Sequence, residues 1–421
     1  MGKTSRISGF YKLSPRERLK IVEKFADLSH EEVEVLLQST GSLTLELADR
    51  MIENVVGAFP VPLGIAVNFL INERDYLIPM AIEEPSVVAA ASNGAKMTRE
   101  KGGFFTSSTE SIMIGQVQVV DVSRPDEAKT AILAAKEEIL SKANEGHRTI
   151  NAKDLDVKVI QARSGPIVVT ELHVDCKDAM GANVVDSMAE AVAPLIERLT
   201  GGRVCLRIIS NLATKRLTKA WATVPKNAVG GEEVVDSIVE ACAFAAADPY
   251  RAATHNKGIM NGITAVILAT GNDVRAVEAG AHAYAALSGQ YRPLSTWEKT
   301  ENGDLHGEIE LPLAVGIIGG ATKAHPVARV ALKILGVRSA RELAEVTAAV
   351  GLAQNLAALR ALAHEGIQRG HMKLHARNLA MSVGATEELV DRIVQKMIEE
   401  RNIKMSRAKK LLEELKGKEK L

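Results

Sequence analysis

Ile114-Gly115-Gln116-Val117-Gln118-Val119-Val120-Asp121-Val122-Ser123-Arg124-Pro125 alternates apolar and polar side chains, then meets a serine and a proline. The alternation is that of a strand with one buried face, and Ser123 with Pro125 has the form of a helix cap and first turn. Helical periodicity runs on to Lys142. Val157 to Arg163 and Ile167 to Asp175 then read as strands joined at Ser164-Gly165-Pro166. Asn183 to Leu199 reads as a second amphipathic helix ended by Gly201-Gly202, and Val204 to Ile209 as a last strand. The order β-α-β-β-α-β is the ferredoxin-like split unit, so the chain is α+β. RNA-reading sheets of this topology stack bases on aromatic side chains. No Phe, Tyr or Trp stands between Thr106 and Ala220, which argues against RNA.

Outside this unit the pattern is mainly helical. Ser14-Pro15 is a cap followed by proline at the first helical position, and Ser29-His30-Glu31-Glu32 has capping-box spacing. Residues 53–80 are more extended, with Pro60, Pro62 and Pro79 among them. Ser86 precedes Val87-Val88-Ala89-Ala90-Ala91, a run suited to a packed helix. From 232 onward helices dominate, interrupted by a polar β-like passage around 291–313 and by Gly319-Gly320-Ala321-Thr322-Lys323. Residues 385–421 are rich in Lys, Glu and Arg, which reads as a solvated face, with Ser406 starting a last amphipathic helix. No fixed-period repeat is present.

Composition narrows the function classes. Lys+Arg and Asp+Glu both number 52, so no overall field favours nucleic acid or an anionic membrane. The uninterrupted apolar runs fall short of the roughly 20 residues a spanning helix needs, and the N-terminus lacks the apolar core of a signal peptide. Cys176, Cys205 and Cys242 are scattered and odd in number, against a disulfide frame or a Cys-x-x-Cys metal site. The expectation is a soluble cytoplasmic protein whose core, with aromatics at only 3%, is filled by Ala, Val, Leu and Ile.

The richest polar stretch is Tyr250-Arg251-Ala252-Ala253-Thr254-His255-Asn256-Lys257-Gly258-Ile259-Met260-Asn261-Gly262, followed by Gly271-Asn272-Asp273. A cation, an amine, amides and a carboxylate gathered around a turn and helix start suit an anionic substrate with a reacting carbonyl. Lys257 near a helix N-terminus opposes the macrodipole, so its ammonium is read as an oxyanion stabiliser rather than a surface lysine. Glu84, in Ile82-Glu83-Glu84-Pro85-Ser86, is a candidate buried general acid; the plainer reading is an exposed loop acid. His371 and His375 stand four apart, a metal-ligand spacing, and His364-Glu365 opens a His-Glu-x-x-His motif that fails at Gln368. A single acid–base histidine is the stronger reading; a zinc-dependent hydrolase using His364, His371 and His375 is the alternative. No Rossmann glycine fingerprint or phosphate-loop lysine occurs. The candidate phosphate cradle is Asp178-Ala179-Met180-Gly181-Ala182-Asn183, a small-residue turn ahead of a helix.

Together these segments resemble the soluble class II form of 3-hydroxy-3-methylglutaryl-coenzyme A (HMG-CoA) reductase. Glu53-Asn54-Val55-Val56-Gly57, Glu83 to Ser86, Asp178 to Asn183, Ser210-Asn211-Leu212-Ala213, Asp248 to Gly262, Gly271 to Asp273, Gly319 to Lys323 and Gly370-His371-Met372 carry the resemblance. It implies a large, mostly helical acyl-CoA domain (1–109 and 216–365), an inserted ferredoxin-like nicotinamide domain (110–215) and a C-terminal flap (366–421). It also implies a homodimer, or an oligomer of dimers, with the active site at the subunit interface, and no metal. Lys257 would hold the developing oxyanion, Asp273 would tune Lys257 and Glu84 through a hydrogen-bonded network, and Glu84 would supply protons. His371 would protonate the departing thiolate. Ser86, Arg251, Thr254 and Asn261 would hold the hydroxymethylglutaryl group. Asp178, Met180, Gly181, Ala182, Asn183 and Asn211 would bind NADPH or NADH. His147 stands where the NADH-using pattern has an aspartate, with Arg148 beside it and Lys215 and Arg216 after Asn211, which leans toward NADPH. Tyr11-Lys12 stands where that pattern has an arginine for the coenzyme A phosphate, leaving Lys12 as the nearby cation.

Overall fold

The computed structural model describes residues 3–38, 42–365, 376–400 and 402–418. Two capping boxes order the N-terminal segment. The Ser14 hydroxyl accepts from the Glu17 amide and the Glu17 carboxylate from the Ser14 amide, starting α1 (Pro15–Ala26). Ser29 and Glu32 do the same for α2 (His30–Leu37). After α3 (Leu45–Asp49), the proline-punctuated stretch ends in an antiparallel hairpin of β1 (Leu63–Ile71) and β2 (Arg74–Ala81). Then come α4 (Val87–Thr98) and β3 (Phe105–Ser108).

The next seven elements are β4 (Ile112–Val120), α5 (Pro125–Ala134), α6 (Lys136–Ala143), β5 (Asn151–Ala162), β6 (Gly165–Asp175), α7 (Ala182–Thr200) and β7 (Arg203–Ser210). Their sheet runs β5-β6-β4-β7, antiparallel throughout, so the first and third strands of the unit are central, as the expected ferredoxin-like split unit requires. Gly115 lies under α7, where a Cβ would come 2.7 Å from Val185 Cγ1. Met113, Val117, Ile132, Leu172, Val185 and Ile196 belong to a core of their own. Three local expectations are corrected. The helix after β4 is interrupted at Ala135. Pro125 at its first position makes Arg124 the N-cap, not Ser123, with no side-chain cap bond. β5 starts at Asn151 rather than Val157, because the Asn144 amide both donates to and accepts from the Ala152 backbone and pins the polar start of the strand.

The chain continues through β8 (Leu217–Val224), α8 (Lys226–Val229), α9 (Glu232–Ala247), α10 (Pro249–Ala269), α11 (Val274–Ala285), β9 (Ser295–Lys299), β10 (Leu305–Pro312), α12 (Gly320–Ala324), α13 (Pro326–Leu335) and α14 (Ala340–Arg360). The second four-stranded sheet is ordered β3-β8-β10-β9. Nearly all of α14 is buried, packed on α4, α10 and β8. Residues Ala340–Ala363 alone among the described helices are long and apolar enough to cross a bilayer, yet 72% of that apolar window is buried in the protein. α4 and α14 cross at Gly94, where a Cβ would fall 2.1 Å from the Ala353 carbonyl oxygen, so only glycine permits this approach. Helices Glu387–Glu399 and Met405–Lys418 share a separate core with Ala376 and Ala380. The last begins one residue before Ser406.

Candidate active site

Lys257 does not sit at a helix start. Asp248 caps α10 by accepting from the Arg251 amide, Pro249 occupies the first position, and the helix runs unbroken to Ala269 with Lys257 near its middle. The glycines that read as turns serve packing and space instead. A Cβ at Gly262 would come 3.0 Å from Gln354 Cβ, whereas one at Gly258 would meet nothing within 4 Å. Arg251, Thr254, Lys257 and Asn261 follow one another at intervals of three, three and four residues. At about 100° per residue these fall on one helix face. Gly258 opens that same face.

The opposite face is buried and spends the remaining polar groups. Asn256 donates to the Arg292 carbonyl and accepts from the Leu294 amide, both at 2.9 Å, so it fastens α10 to β9 rather than facing a substrate. His255 Nε2 lies 2.7 Å from the Ser295 hydroxyl and 3.1 Å from the Asn355 amide, and Trp297 donates to the same Asn355. Burial, with Arg251 adding to it, pushes the His255 imidazole down to about 4. A depressed folded-state pKa means the unfolded chain binds this proton first as the pH falls. The stability contributed by neutral His255 is thus fully present above pH ~6.5 and is lost toward pH 4, at a cost of about 3 kcal/mol. Urea unfolding at pH 7 and pH 4.5 is expected to show that slope for the native chain and a flatter one for His255→Gln. Equal slopes would reject the assignment.

Glu84 follows β2 in a bend and reaches α10, where Lys257 Nζ lies 2.8 Å from its Oε2. Of the two readings of Glu84, the structure favours the exposed loop acid over the buried one: its side chain is 37% exposed and that of Lys257 60%. A pair this exposed contributes roughly 1 kcal/mol or less to stability. Ser86 has a left-handed backbone with φ +76° and makes no cap bond to α4. Such a conformation costs a non-glycine residue about 1–3 kcal/mol. Ser86 stands two residues after Glu84, between that acid and α4. Asp273 caps α11 by accepting from the Ala276 amide at 3.1 Å. Among the described residues no hydrogen bond joins it to Lys257 or Glu84, so the expected three-residue network is present only as the Lys257–Glu84 pair. The Gly319–Lys323 motif supports the Asp273 loop, with the Thr322 hydroxyl donating to the Gly271 carbonyl at 3.2 Å.

The Asp178–Asn183 turn enters α7 at Gly181, with φ +115° and no side-chain cap. A helix N-terminus left uncapped in this way fits an anion such as a pyrophosphate. The Asp178 carboxylate accepts from the Ala340 amide, and the Met180 carbonyl accepts from Arg216. Asn211 is exposed and its carbonyl lies against Gly280 of α11. Arg216, which the sequence offered with Lys215 as a cation for the cofactor phosphate, is only 4% exposed and is spent on backbone carbonyls. His147 and Arg148 are exposed on the loop between α6 and β5. His371 and His375, like the side chain of His364, lie outside what is described; among the described residues no group of three or more metal-ligating side chains occurs.

A cavity of about 980 Å³ lies between the N-terminal arm and the α4 face carrying Val88, Ser92 and Lys96. Lys12 is not its only cation, since Arg6, Arg16, Arg18 and Lys96 also line it. Arg18 is occupied by the Phe10 and Tyr11 carbonyls. Ser5 and Arg99 pin the arm to Asp75 at 2.5 and 2.8 Å. Burial pushes the Asp75 carboxyl up, but these partners outweigh it and hold it below the usual range. Because α4 begins directly after Ser86, the cavity runs along the helix that starts at the Glu84–Lys257 pair.

A family model described as Hydroxymethylglutaryl-coenzyme A reductase matches residues 14–376. The 3-hydroxy-3-methylglutaryl-coenzyme A reductase of Archaeoglobus fulgidus is 60% identical over 419 residues, covering 98% of this chain and 95% of its own. A probable reductase of the same name from Borreliella burgdorferi is 38% identical over 346 residues, covering 78% and 77%. Among solved structures, the class II reductase of Streptococcus pneumoniae bound to NADPH in open conformations superposes with a TM-score of 0.81. It shares 41% identity over 96% of this chain and 100% of that one.

Proposed function

Since the chain belongs to the hydroxymethylglutaryl-coenzyme A reductase family of NAD(P)H-dependent oxidoreductases, we propose that it interconverts HMG-CoA and mevalonate at the face of α10. The observation that carries this reading is the Lys257–Glu84 contact at 2.8 Å, on the face that also presents Arg251, Thr254 and Asn261. NADPH or NADH supplies two hydrides per thioester reduced to alcohol. Arg251 suits a two-pronged grip on the substrate carboxylate, with Ser86, Thr254 and Asn261 fixing the rest of the hydroxymethylglutaryl group. Lys257 stabilises the oxygen that gains charge at each reduction, first of the thioester and then of mevaldehyde. Glu84, in contact with that ammonium and partly open to solvent, takes up a proton from water and passes it to the nascent alkoxide. Asp273 is assigned the tuning of this pair from its loop. His371 protonates the coenzyme A thiolate when the mevaldyl intermediate collapses.

The cavity beside the N-terminal arm is assigned to the coenzyme A portion, with its cations facing the phosphates. On this reading residues 1–109 and 216–365 are the acyl-CoA domain, 110–215 the cofactor domain and 366–421 the flap. A second copy is assigned to the segment around Glu53–Gly57, where Val56 is 99% and Phe59 93% exposed; sedimentation of the purified chain should read two copies or a multiple of two.

The turn Asp178 to Asn183, with Asn211, is assigned to the dinucleotide, and the NADPH held by the S. pneumoniae relative supports that class of cofactor. His147 and Arg148 face solvent, and the neighbouring Glu145 is paired with Lys142 at 2.6 Å. NADPH is therefore expected to serve at least as well as NADH. His147→Asp places a carboxylate where a 2′-phosphate would lie. It should shift the ratio of catalytic efficiencies toward NADH at least tenfold, about 1.4 kcal/mol. Initial rates in both directions with each cofactor test the whole reading. Two reduced cofactors should be oxidised per thiol released. A chain that turns over neither cofactor in either direction overturns the function, and strict NADH dependence overturns the cofactor assignment alone.

A further inference from the structure

Arg216 is an unusual place for a cation. It is 4% exposed, and no carboxylate of the described residues lies within ion-pairing distance. Its guanidinium donates to the Ala179 carbonyl at 3.2 Å, to the Met180 carbonyl at 3.0 Å and to the Val315 carbonyl. Burial pushes it down to about 10, which leaves it protonated at neutral pH. A buried charge unpaired by any carboxylate is costly, and here the whole fork is turned onto two backbone segments far apart in sequence.

Those strands are the turn that enters α7 and the loop after β10. They are fastened at further points. The Ile317 amide donates to the Asp178 carbonyl at 2.9 Å, and the Asp178 carboxylate accepts from the Ala340 amide at the start of α14. Gly316 packs so closely that a Cβ would come 2.6 Å from the Met180 nitrogen. The Gly316 amide in turn donates to Asn272 Oδ1 at 2.7 Å, and Asn272 is the neighbour of Asp273. A continuous set of contacts therefore runs from the turn 178–181 through Arg216, Val315 and Gly316 to the loop that carries the candidate catalytic carboxylate.

We propose that Arg216 is a positioning residue that fixes the dinucleotide-binding turn against the Asp273 loop, so that cofactor and substrate sites are held in one register. The inference rests on the assignment of the turn 178–183 to the dinucleotide. Arg216 touches neither ligand, and its effect is exerted through the Ala179, Met180 and Val315 carbonyls.

Four full-length variants test it, with NADPH binding followed by fluorescence titration and HMG-CoA binding by calorimetry. Arg216→Met removes the clamp, Gly316→Ala pushes on Met180 from the other side without touching Arg216, and Asn183→Glu places a carboxylate on the turn itself. Arg216→Met and Gly316→Ala are each expected to weaken NADPH at least tenfold while HMG-CoA affinity stays within twofold. Arg216→Lys should recover part of the loss. If Arg216→Met does not fold, Arg216→Lys, which keeps the charge but not the three-carbonyl fork, decides: NADPH affinity within twofold of native there overturns the inference. Unchanged NADPH affinity in these variants, with Asn183→Glu still weakening it, overturns the role of Arg216 and leaves the cofactor site standing. Unchanged affinity in Asn183→Glu overturns the cofactor site and the inference with it. Parallel loss of both ligands in Gly316→Ala shows a general structural role and overturns the inference.

Discussion

Replacing Lys257 with alanine is expected to reduce turnover by at least a hundredfold while HMG-CoA binds nearly as before. On the proposed assignment the ammonium would face a carbonyl whose oxygen carries full charge only as hydride arrives, so its attraction would be greatest in the transition state, the condition for lowering a barrier rather than tightening a complex. Removing one such donor costs about 3 kcal/mol or more. Binding should survive because Arg251, Thr254 and Asn261 are separate side chains on the same face of α10. Folding should survive too. Lys257 is 60% exposed, and Glu84, at 37%, can be solvated by water once its partner is gone. Steady-state rates, with calorimetric titration of HMG-CoA and a melting curve, separate the three effects. Turnover above a tenth of the native value would remove Lys257 from the mechanism. A large loss of HMG-CoA affinity would recast it as a binding residue.

The inserted sheet was legible because alternation and turn residues act locally: β4, β6, α7 and β7 lie within a residue or two of where their patterns put them. β5 was shortened in the reading because Asn151 to Asp156 is polar, and only pairing with β6 makes it strand. The active-site helix was misread for the opposite reason. Gly258 and Gly262 look like turn residues, yet one leaves room on the exposed face and the other lets α14 approach, and neither purpose is visible before packing is known. The three-three-four spacing of Arg251, Thr254, Lys257 and Asn261 was present throughout and would have placed all four on one helical face. Burial was the least legible quantity. Asn256 and Arg216 look like ligand-binding groups in the sequence and prove to be fasteners, whereas Glu84, which could be read as buried or exposed, is partly open. Long-range contacts such as Asn272 with Gly316 or Ser5 with Asp75 leave no local pattern at all.

His371→Gln should separate the two halves of the reaction. His371 lies outside the described residues, so its place rests on the Gly370-His371-Met372 match and on the chemistry of the leaving group. Reduction of the thioester ends in expulsion of a thiolate, whose conjugate acid has a pKa of about 8.5. Near neutral pH a thiolate left unprotonated can re-attack the aldehyde it has just released, and an imidazolium that protonates it draws the cleavage forward; in the oxidative direction the same imidazole takes that proton back. General acids of this kind contribute about 10²–10⁴ in rate. Glutamine keeps the size and hydrogen-bonding capacity of the side chain but has no proton to give. Turnover of HMG-CoA should therefore fall by about that factor. Reduction of free mevaldehyde, which releases no thiolate, should remain within a few-fold of native. Equal losses on HMG-CoA and mevaldehyde would show that His371 serves closure or folding instead. No loss on either would return thiolate protonation to solvent or to another residue of the site.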